Sequence, residues 1–181
     1  MKNAIIVGAT SGIGLEVARI MRSEGVNIGV AGRREDRLRK FAEEGGNVVW
    51  QRIDVTDENA GGLLVDLAER MGGVLLVSGI GSQNRDLDPG IEIATTETNV
   101  VGFTRMIDAA FNYLKSHGGG HIGAVSSIAG TKGLGIAPAY SATKRFQNTY
   151  IQCLAQLSAM TRANITFTDI RPGFVATDLL K

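Results

Sequence analysis

Short apolar runs alternate with longer amphipathic stretches along the chain. Runs rich in Val and Ile indicate six strands, at 4–7, 26–30, 48–53, 74–77, 122–125 and 165–170. Between the strands, apolar residues recur with a helical period, which predicts helices over 14–23, 34–44, 57–70, 94–115 and 138–160. Strands that lack polar alternation are buried on both faces, and their alternation with helices is typical of a parallel sheet covered on both sides. We therefore predict an α/β fold, a doubly wound parallel sheet in a three-layer α/β/α arrangement.

The length and charge of the chain fit one globular domain over residues 1–181. With 181 residues and 44% apolar content, the chain can bury a substantial core without disulfides or a metal. Its 19 basic and 18 acidic residues leave a net charge of +1, too small to attract nucleic acid or an anionic membrane surface. We expect neither kind of partner.

Cysteine and histidine usage indicates a reducing compartment and no metal site. Cys153 is the only cysteine, so it has no disulfide partner in the chain, and the histidines show no metal-ligand spacing with it. The first apolar run, 4–7, is too short for a signal peptide or a membrane span. We expect a cytoplasmic protein that binds no metal.

A glycine-rich loop follows the first predicted strand directly. Residues 8–14 read Gly-Ala-Thr-Ser-Gly-Ile-Gly, and a helical pattern starts at once behind them. Glycines at such a turn let backbone N–H groups approach a pyrophosphate, and the helix N-terminus offers its positive end to the negative charge. A simple glycine turn is the alternative interpretation. The loop residues expected to contact a dinucleotide are Gly8, Thr10, Ser11, Gly12, Ile13 and Gly14.

Two arginines at the end of the second predicted strand indicate which dinucleotide binds. In sheets of this type that edge faces the adenosine ribose. An acidic residue there accepts hydrogen bonds from a free 2′-hydroxyl, whereas a guanidinium binds a 2′-phosphate through two charge-assisted hydrogen bonds. Because Arg33 stands there with no acid before it, NADP(H) is favoured over NAD(H). The alternative is that Arg33 and Arg34 only begin a solvated helix, which fits Arg34 better than Arg33.

A tyrosine and a lysine lie one helical turn apart at the start of the last predicted helix. This spacing places Tyr140 and Lys144 on one face of the helix. A phenol titrates near 10 in isolation, and a nearby ammonium favours its ionised form. Ser127 stands just past the fifth predicted strand, with Ser126 beside it as an alternative. Ligands bind outside the carboxyl ends of strands in such sheets, so the hydroxyl, the phenol and the ammonium can converge there.

Together these segments resemble the short-chain dehydrogenase/reductase family. The glycine loop, the Ser127 segment, the pair of Tyr140 and Lys144, and Arg-Pro-Gly at 171–173 occur in the order of that family, and the resemblance spans the whole chain. It implies a Rossmann-type sheet with the strand order 3-2-1-4-5-6. It also implies an NADP(H)-dependent oxidoreductase that passes a hydride between the nicotinamide ring and a carbonyl or alcohol substrate.

The resemblance implies a role for each of four catalytic residues. Tyr140 would be the general acid in reduction and the general base in oxidation. Ser127 would polarise the substrate oxygen, and the family's spacing prefers it to Ser126. Lys144 would hold the nicotinamide ribose and lower the pKa of the tyrosine. Asn99 would order a proton-relay water, with a local backbone hydrogen bond of its amide as the alternative.

Further cofactor contacts are implied by matching segments. Asp54 and Val55 resemble the family's adenine-contacting segment, although an acidic residue before a helix is also an ordinary cap. Pro172 and Gly173 resemble the turn under the nicotinamide, although Pro-Gly occurs in turns of any kind. Thr177 would hydrogen-bond the nicotinamide carboxamide.

The chain departs from the family after the fourth predicted strand. The family reads Asn-Asn-Ala-Gly there, and this chain reads Ser-Gly-Ile-Gly over 78–81. This loop backs the adenine ribose, so Gly79 is a candidate contact, and the loss of two bracing amides predicts weaker binding. The family also continues through a substrate lid, a helix and a seventh strand, which are not among the residues up to Lys181.

Two other functions compete with the oxidoreductase interpretation. A dinucleotide-binding module without catalysis fits the altered loop at 78–81 but not the intact Ser127, Tyr140 and Lys144. An epimerase or dehydratase that retains NAD uses the same tyrosine and lysine, but Arg33 opposes it. The identity of the substrate is left open, because specificity in such folds lies in the loops.

An assembly state is also predicted. The helical segments over 103–115 and 140–160 are apolar enough to pair with a second copy of the chain. Homo-oligomers commonly form around a twofold axis. We therefore expect a homodimer or a homotetramer.

Overall fold

A six-stranded parallel sheet organises the molecule. The computed structural model describes residues 3–71, 74–76 and 81–175. The strands are β1 Asn3–Val7, β2 Asn27–Gly32, β3 Val48–Arg52, β4 Val74–Leu76, β5 Gly120–Val125 and β6 Ile165–Ile170. Every pairing among them is parallel, and the order across the sheet is β3-β2-β1-β4-β5-β6. The predicted doubly wound sheet and its strand order are therefore confirmed.

Helices connect the strands. They are α1 Gly12–Ser23, α2 Glu35–Glu43, α3 Ala60–Met71, α4 Pro89–Thr96, α5 Phe103–Ser116 and α6 Pro138–Thr161. A π-helical segment, Glu97–Gly102, joins α4 to α5, and a 3₁₀ turn, Ile128–Gly130, follows β5. Four of the predicted helices recur as α1, α2, α3 and α6 with small shifts at their ends.

The helix predicted over 94–115 begins earlier than its apolar pattern indicated. Asp88 caps α4, because its Oδ1 accepts hydrogen bonds from the N–H groups of Gly90 (2.7 Å) and Ile91 (3.4 Å). Pro89 takes the first helical position, where its missing N–H and fixed φ cost nothing. Helix α4 is mostly exposed, so a search for buried apolar positions passes over it. The Asp-Pro pair was the signal for its start.

The period-two geometry of the strands separates two apolar cores. Ile5 and Val7 of β1 pack in one core with residues of α3, α5 and α6, such as Leu67. Ile6, which points to the other face, packs with residues of α1 and α2, such as Leu38. Each fully buried aliphatic side chain of this kind contributes about 1.5–3 kcal/mol. These cores fix both helical layers on the sheet and hold the carboxyl ends of the strands in place.

Three further properties concern the described part of the chain. Within it, no helix has the length and apolarity that crossing a bilayer requires. No group of three or more His, Cys, Asp or Glu side chains able to hold a metal ion occurs among the described residues. Cys153 is an exposed free thiol on α6.

Candidate functional site

The glycine loop forms a backbone cradle between β1 and α1. Gly8 has φ 92° and Gly12 has φ 54°, in the left-handed region that glycine adopts without strain. The N–H groups of Gly8 and Ala9 donate to the Ala31 carbonyl (2.8 and 3.1 Å), which ties the loop to β2. A Cβ at Gly14 would lie 2.4 Å from the Gly8 carbonyl oxygen, so α1 packs directly on the loop. The cradle and the N-terminus of α1 fit the diphosphate of a dinucleotide.

The other loop residues lie beside arginines from the end of β2 and the start of α2. Arg34 Nη2 donates to Thr10 Oγ1 (2.8 Å) and to Ser11 Oγ (2.6 Å). Arg37 Nη1 donates to the Thr10 carbonyl (3.2 Å). Ile13 lies in the first turn of α1. Two positive charges are therefore held against the loop by direct hydrogen bonds.

The structure places Arg33 and Arg34 differently. Arg33 follows Gly32 at the end of β2 and is exposed, while Arg34 bends back onto the loop. The sequence favoured Arg33 as the phosphate-binding residue and left open that Arg34 only begins a solvated helix. Helix α2 begins at Glu35, which leaves Arg34 as the residue before the helix, where its side chain reaches Thr10. The hydrogen bonds of Arg34 to the loop were not predicted, and the role of Arg33 in phosphate binding stays a prediction.

Asp54 and Val55 follow β3 at the same edge of the sheet. Asp54 Oδ1 accepts hydrogen bonds from the Thr56 N–H (3.1 Å) and from Thr56 Oγ1 (2.8 Å). Val55 is buried, and its carbonyl accepts from Arg105 Nη1 (2.8 Å). These contacts give Asp54 a role in local structure, of the kind that the alternative interpretation offered. Contact of Asp54 and Val55 with adenine stays a prediction.

Helix α6 presents Tyr140 and Lys144 on one side of its first turns. Pro138 is the first residue of the helix. Lys144 Nζ lies 5.7 Å from the centroid of the Tyr140 ring. It donates hydrogen bonds to the Val125 carbonyl (3.2 Å) and to Gln147 Oε1 (3.0 Å). Lys144 is 4% exposed, whereas Tyr140 is half-buried and so accessible from the carboxyl edge of the sheet.

The environment of Lys144 changes its titration. Burial lowers the pKa of Lys144 from 10.5 to about 8, and the negative charge of Asp169 opposes that shift. At neutral pH the amine is therefore still mainly protonated. An ammonium in a nearly dry site stabilises negative charge that develops on a neighbouring phenol oxygen.

The two adjacent serines after β5 have different surroundings. Ser126 Oγ donates to Asp169 Oδ1 and accepts from Asn148 Nδ2 (2.6 Å). Ser127 caps the 3₁₀ turn, because its Oγ accepts from the Ala129 N–H (3.0 Å). Ser126 thus serves the packing of β5 against α6 and β6. This difference favours the Ser127 hydroxyl, rather than that of Ser126, as the hydrogen-bond donor to a substrate oxygen.

Asp169 is the centre of a polar network that the sequence did not reveal. It accepts hydrogen bonds from Ser126, from Asn148 Nδ2 (2.9 Å) and from Arg171 Nε (2.6 Å). Asn148 Oδ1 is buried and has no hydrogen-bond partner among the described residues. A Cβ at Gly130 would lie 2.2 Å from that oxygen, so Gly130 leaves room for the amide. The network joins β5, α6 and β6 directly behind Lys144.

Asn99 lies in the π-helical segment and is fully buried. Its Nδ2 donates to Thr143 Oγ1 on α6 (3.1 Å). Its backbone carbonyl accepts a hydrogen bond from Gln147 Nε2 (2.8 Å). Asn99 is therefore brought next to the helix that carries Tyr140 and Lys144. The relay water assigned to Asn99 stays a prediction.

The segment after β4 contacts the tyrosine at Gly81. A Cβ at Gly81 would lie 2.7 Å from Cδ2 and Cε2 of Tyr140, so the ring packs directly on the Gly81 backbone. The match of Gly81 to the last residue of Asn-Asn-Ala-Gly was the available signal for this contact. The predicted contact of Gly79, and Ser78 beside it, lie outside the described residues.

The turn at Pro172 and Gly173 packs against the loop that carries Ser127. The Pro172 carbonyl accepts from the Ile128 N–H (3.1 Å), and Ser127 Oγ lies 3.5 Å from the same carbonyl. A Cβ at Gly173 would be 3.5 Å from Ile128 Cδ1. The turn at Pro172 therefore lies beside Ser127, at the carboxyl edge of the sheet. Thr177 lies outside the described residues.

An open depression of about 590 Å³ lies next to these side chains. Its lining consists of residues 129–135 and, on α6, Pro138, Ser141, Ala142 and Arg145. Neither Ser127 nor Tyr140 lines it. The depression therefore borders the predicted catalytic residues without containing them.

Comparison with known sequences gives the same picture over almost the whole chain. The sequence model of a family described as short chain dehydrogenase matches residues 2–181. Glycine betaine reductase ATRR of Emericella nidulans is 33% identical over 192 residues, which cover 99% of this chain but only 15% of that protein. An uncharacterised oxidoreductase of Mycobacterium tuberculosis is 29% identical, with 97% of this chain and 74% of that protein covered.

Solved structures show the same architecture. A 3-ketoacyl-ACP reductase from Sinorhizobium meliloti is 32% identical with a TM-score of 0.85, over 98% of this chain and 74% of that one. A variant of actinorhodin polyketide ketoreductase with NADPH is 30% identical with a TM-score of 0.84, over 97% and 71%. A short-chain dehydrogenase/reductase from Burkholderia phymatum in complex with NAD shares the fold at 23% identity, with a TM-score of 0.87, over 97% and 66%.

These matches agree with the geometry at the carboxyl edge of the sheet. The family consists of oxidoreductases that bind a nicotinamide dinucleotide and act on small molecules. In this chain the glycine cradle follows β1, the buried lysine and the tyrosine lie on α6, and the serine follows β5. The roles of these side chains in that chemistry stay predictions. The chain belongs to the short-chain dehydrogenase family.

Proposed function

We propose that the chain is an NADP(H)-dependent oxidoreductase that transfers a hydride between the nicotinamide and a carbonyl or alcohol group of a small substrate. The observation that carries the proposal is the Lys144 ammonium, 4% exposed and 5.7 Å from the Tyr140 ring centroid. Burying a charged lysine costs free energy even when its ammonium is hydrogen-bonded, so a buried lysine beside a titratable side chain is a candidate functional residue. A charge kept dry beside a half-buried phenol is suited to proton transfer at that phenol.

Each of the three side chains has a defined task in this proposal. The bound nicotinamide supplies the hydride in reduction and accepts it in oxidation. Tyr140 donates its phenol proton to the substrate oxygen in reduction and takes it back in oxidation. Ser127 donates its hydroxyl hydrogen to the same oxygen and so orients it. Lys144 stabilises the negative charge that Tyr140 acquires when its proton leaves.

The preference for NADP(H) is supported by the arginines at the glycine loop. Arg34 and Arg37 bring two guanidinium groups against Thr10 and the Ser11 hydroxyl, and Arg33 is exposed beside them. A guanidinium binds a phosphate in a bidentate, charge-assisted geometry. Arg34 thus joins Arg33 as a candidate for the 2′-phosphate. The NADPH in the actinorhodin ketoreductase structure, a 30% identical protein, agrees with this preference.

Reduction of a ketone is the direction to test first. Two similar structures at 30% identity or more are named a ketoreductase and a 3-ketoacyl-ACP reductase. In this chain, Ser127 and Tyr140 can place a donated hydrogen bond and a donated proton on one carbonyl oxygen. The substrate of this chain is therefore sought among small ketones and ketoacyl thioesters.

Nucleotide binding and turnover test the proposal together. The purified protein is titrated with NADPH and with NADH by nucleotide fluorescence, and a panel of ketones is then added to the wild type and to Tyr140→Phe. We expect NADPH to bind more tightly than NADH. We expect turnover in Tyr140→Phe to fall about 100-fold or more, because the proton donor is lost, while NADPH affinity stays within twofold of the wild type.

Two results would contradict the proposal in different ways. Nucleotide binding without turnover on any ketone or alcohol would leave a binding module without catalysis. Tightly held NAD that co-purifies with the protein would indicate an epimerase or dehydratase. A Tyr113→Phe variant is the matched control, because the Tyr113 hydroxyl donates to the Ala68 carbonyl (3.0 Å) away from the site.

The proposal includes a homodimer or homotetramer in the cytoplasm. In α5 the apolar residues, among them Phe103, Met106 and Ile107, are used in the chain's own core. Exposed apolar side chains on α6 include Leu157 and Met160, which support pairing with a second copy. Sedimentation that shows a monomer at micromolar concentration would contradict the assembly.

The proposed location in the cytoplasm rests on the balanced charge and the single cysteine of the chain. Cell fractionation tests this location.

A further inference from the structure

Gln147 connects Lys144 to the π-helical segment. It is fully buried, one turn after Lys144 on α6. Its Oε1 accepts a hydrogen bond from Lys144 Nζ at 3.0 Å, and its Nε2 donates to the Asn99 carbonyl at 2.8 Å. A buried primary amide costs free energy unless its polar atoms are hydrogen-bonded, and here both ends of the amide are engaged.

The π-helical register brings the Asn99 carbonyl to this amide. In an α-helix the N–H of Phe103 would donate to the carbonyl of Asn99. Here it donates to the carbonyls of Thr98 and Val100 instead. Segments of this kind occur at functional sites because they redirect backbone groups. The Asn99 carbonyl faces α6, and Gln147 meets it there.

We infer that Gln147 is a positioning residue of the active site, which holds Lys144 charged and in a fixed place behind Tyr140 through its bridge to Asn99. The inference rests on the proposed function, since Lys144 has the task described there. An amide oxygen only accepts and an amide nitrogen only donates. The bridge therefore has a fixed direction, from Lys144 to Gln147 to Asn99, and does not pass a proton as a water molecule would.

The groups around Lys144 show why a hydrogen bond from Nζ to one neutral acceptor affects the protonation of the amine. From β5 the Val125 carbonyl accepts from Nζ, and from β6 the Asp169 carboxylate acts through its charge. Tyr140 is the titratable group that α6 itself places beside the amine. Burial lowers the pKa of Lys144 to about 8, so near neutral pH a hydrogen bond that favours the charged form changes its population. The Gln147 amide supplies that hydrogen bond directly.

A titration of Lys144 by nuclear magnetic resonance tests the inference without cofactor or substrate. Protein with ¹³C-labelled lysine side chains is followed across pH, and the Lys144 signal is identified by its loss in Lys144→Arg. Gln147→Met keeps the length of the side chain but removes both hydrogen bonds, so we expect the titration midpoint to fall by about one pH unit. Gln147→Glu places a carboxylate at the amine, so we expect the midpoint to rise above the wild type.

Opposite shifts in the two variants separate this role from a packing role. A loosened core would move both midpoints in the same direction. Gln152→Met, which changes an exposed glutamine of the same helix, is the matched control and should leave the midpoint unchanged. An unchanged midpoint in Gln147→Met, or shifts of the same sign in both Gln147 variants, would overturn the inference.

Turnover adds a second readout that depends on pH. In Gln147→Met we expect kcat for ketone reduction to fall about fivefold at pH 8, where the loss of the bridge leaves fewer lysines charged. At pH 6 Lys144 holds its proton in both proteins, so kcat should be nearly equal. An equal loss at both pH values would overturn the inference. Absence of turnover in the wild type would overturn the proposed function instead, while the cofactor-free titration would still decide the role of Gln147.

Discussion

The site has a dry half and a wet half, and they are built from different interactions. In the dry half, on the side of α6, the polar residues around Lys144 are at most 4% exposed: Asn99, Ser126, Thr143, Lys144, Gln147 and Asn148. In the wet half, at the glycine loop, the three arginines Arg33, Arg34 and Arg37 are exposed. The dry half is held by a continuous set of hydrogen bonds between helices and strands, whereas the wet half gathers charge around a backbone turn.

The difference indicates which half controls chemistry and which controls cofactor choice. Charges and hydrogen bonds in a dry environment are weakly screened, so a change of one partner alters protonation and geometry strongly. Exposed arginines are screened by salt, and each contributes modestly to binding. Substitutions in the dry half should therefore affect rate and stability, and substitutions in the wet half should affect the ratio of NADPH to NADH affinity.

The largest effect is expected for Lys144→Met, at the centre of the dry half. The variant removes the charge behind Tyr140, so kcat for ketone reduction should fall about 100-fold or more at saturating NADPH. Steady-state kinetics with a Lys115→Met control, which changes an exposed lysine on α5, measure this loss. A loss below threefold would show that the dry half does not control the chemistry.

The same variant gives a stability test with a definite sign. Because the folded pKa of Lys144 is lowered to about 8 from 10.5, the unfolded chain keeps the proton over a pH range in which the folded chain has lost it. The free energy of unfolding of the wild type should therefore rise, relative to Lys144→Met, as pH increases from 8 to 10.5. Urea denaturation at several pH values measures the difference. Parallel stability curves for the two proteins would contradict the burial of a charged lysine.

A smaller effect is expected for Asp169→Asn, which changes the network behind Lys144. An asparagine there places an N–H donor against the donors of Asn148 or Arg171, so the free energy of unfolding should fall by about 1–3 kcal/mol. The loss of the negative charge should also lower the pKa of Lys144, because Asp169 raises it in the wild type. Urea denaturation and the lysine titration measure the two effects.

The control for that prediction is a carboxylate in water. Asp66 is exposed on α3, so Asp66→Asn should change stability by less than about 0.5 kcal/mol and leave the Lys144 titration unchanged. Equal effects of the Asp66 and Asp169 variants would show that Asp169 acts as an ordinary surface charge. Asp169 would then not belong to the dry half, which would still include Ser126 and Asn148.

Much of the fold could be predicted because its signals are local. Apolar runs such as 4–7 and the helical periods between them define strands and helices, and their alternation defines the parallel sheet. The strand order came from the family resemblance, since nothing local determines it. Helix α4 was missed because it is mostly exposed, and the π-helical register of Glu97–Gly102 leaves no trace in a period of apolar residues.

The site divides in the same way between local and long-range information. Tyr140 and Lys144 lie one turn apart on a single helix, so their spacing identifies them. Gln147 lies one turn after Lys144, but its contact with the Asn99 carbonyl forms only when the π-helical segment packs on α6. Asp169 comes close to Lys144 only when β6 packs beside α6, so neither residue was identified. The contacts of Arg34 with the loop were not predicted, because they form only when this side chain, at the start of α2, folds back onto Thr10.

The smallest effect is expected in the wet half, for Arg34→Ala and Arg33→Ala. Arg34 donates to Thr10 and Ser11 at the loop, so its loss should weaken NADPH binding about fivefold to tenfold at low salt. NADH binding should change less than twofold, because NADH lacks the 2′-phosphate. Fluorescence titrations at low and high salt measure both affinities, and the NADPH difference should shrink as salt screens the exposed charges.

Comparison of the arginine variants shows which arginine binds the 2′-phosphate of NADPH. Arg39→Ala is the control, because Arg39 pairs with Glu35 on the exposed side of the same helix (2.9 Å). A loss confined to Arg33→Ala would support the residue that the sequence favoured, and the Arg34 contacts would then only brace the loop. Unchanged NADPH affinity in both variants would contradict the NADP(H) preference. A loss that persists at high salt would mean that bound NADPH excludes water from the loop, and the wet half would then be dry in the complex.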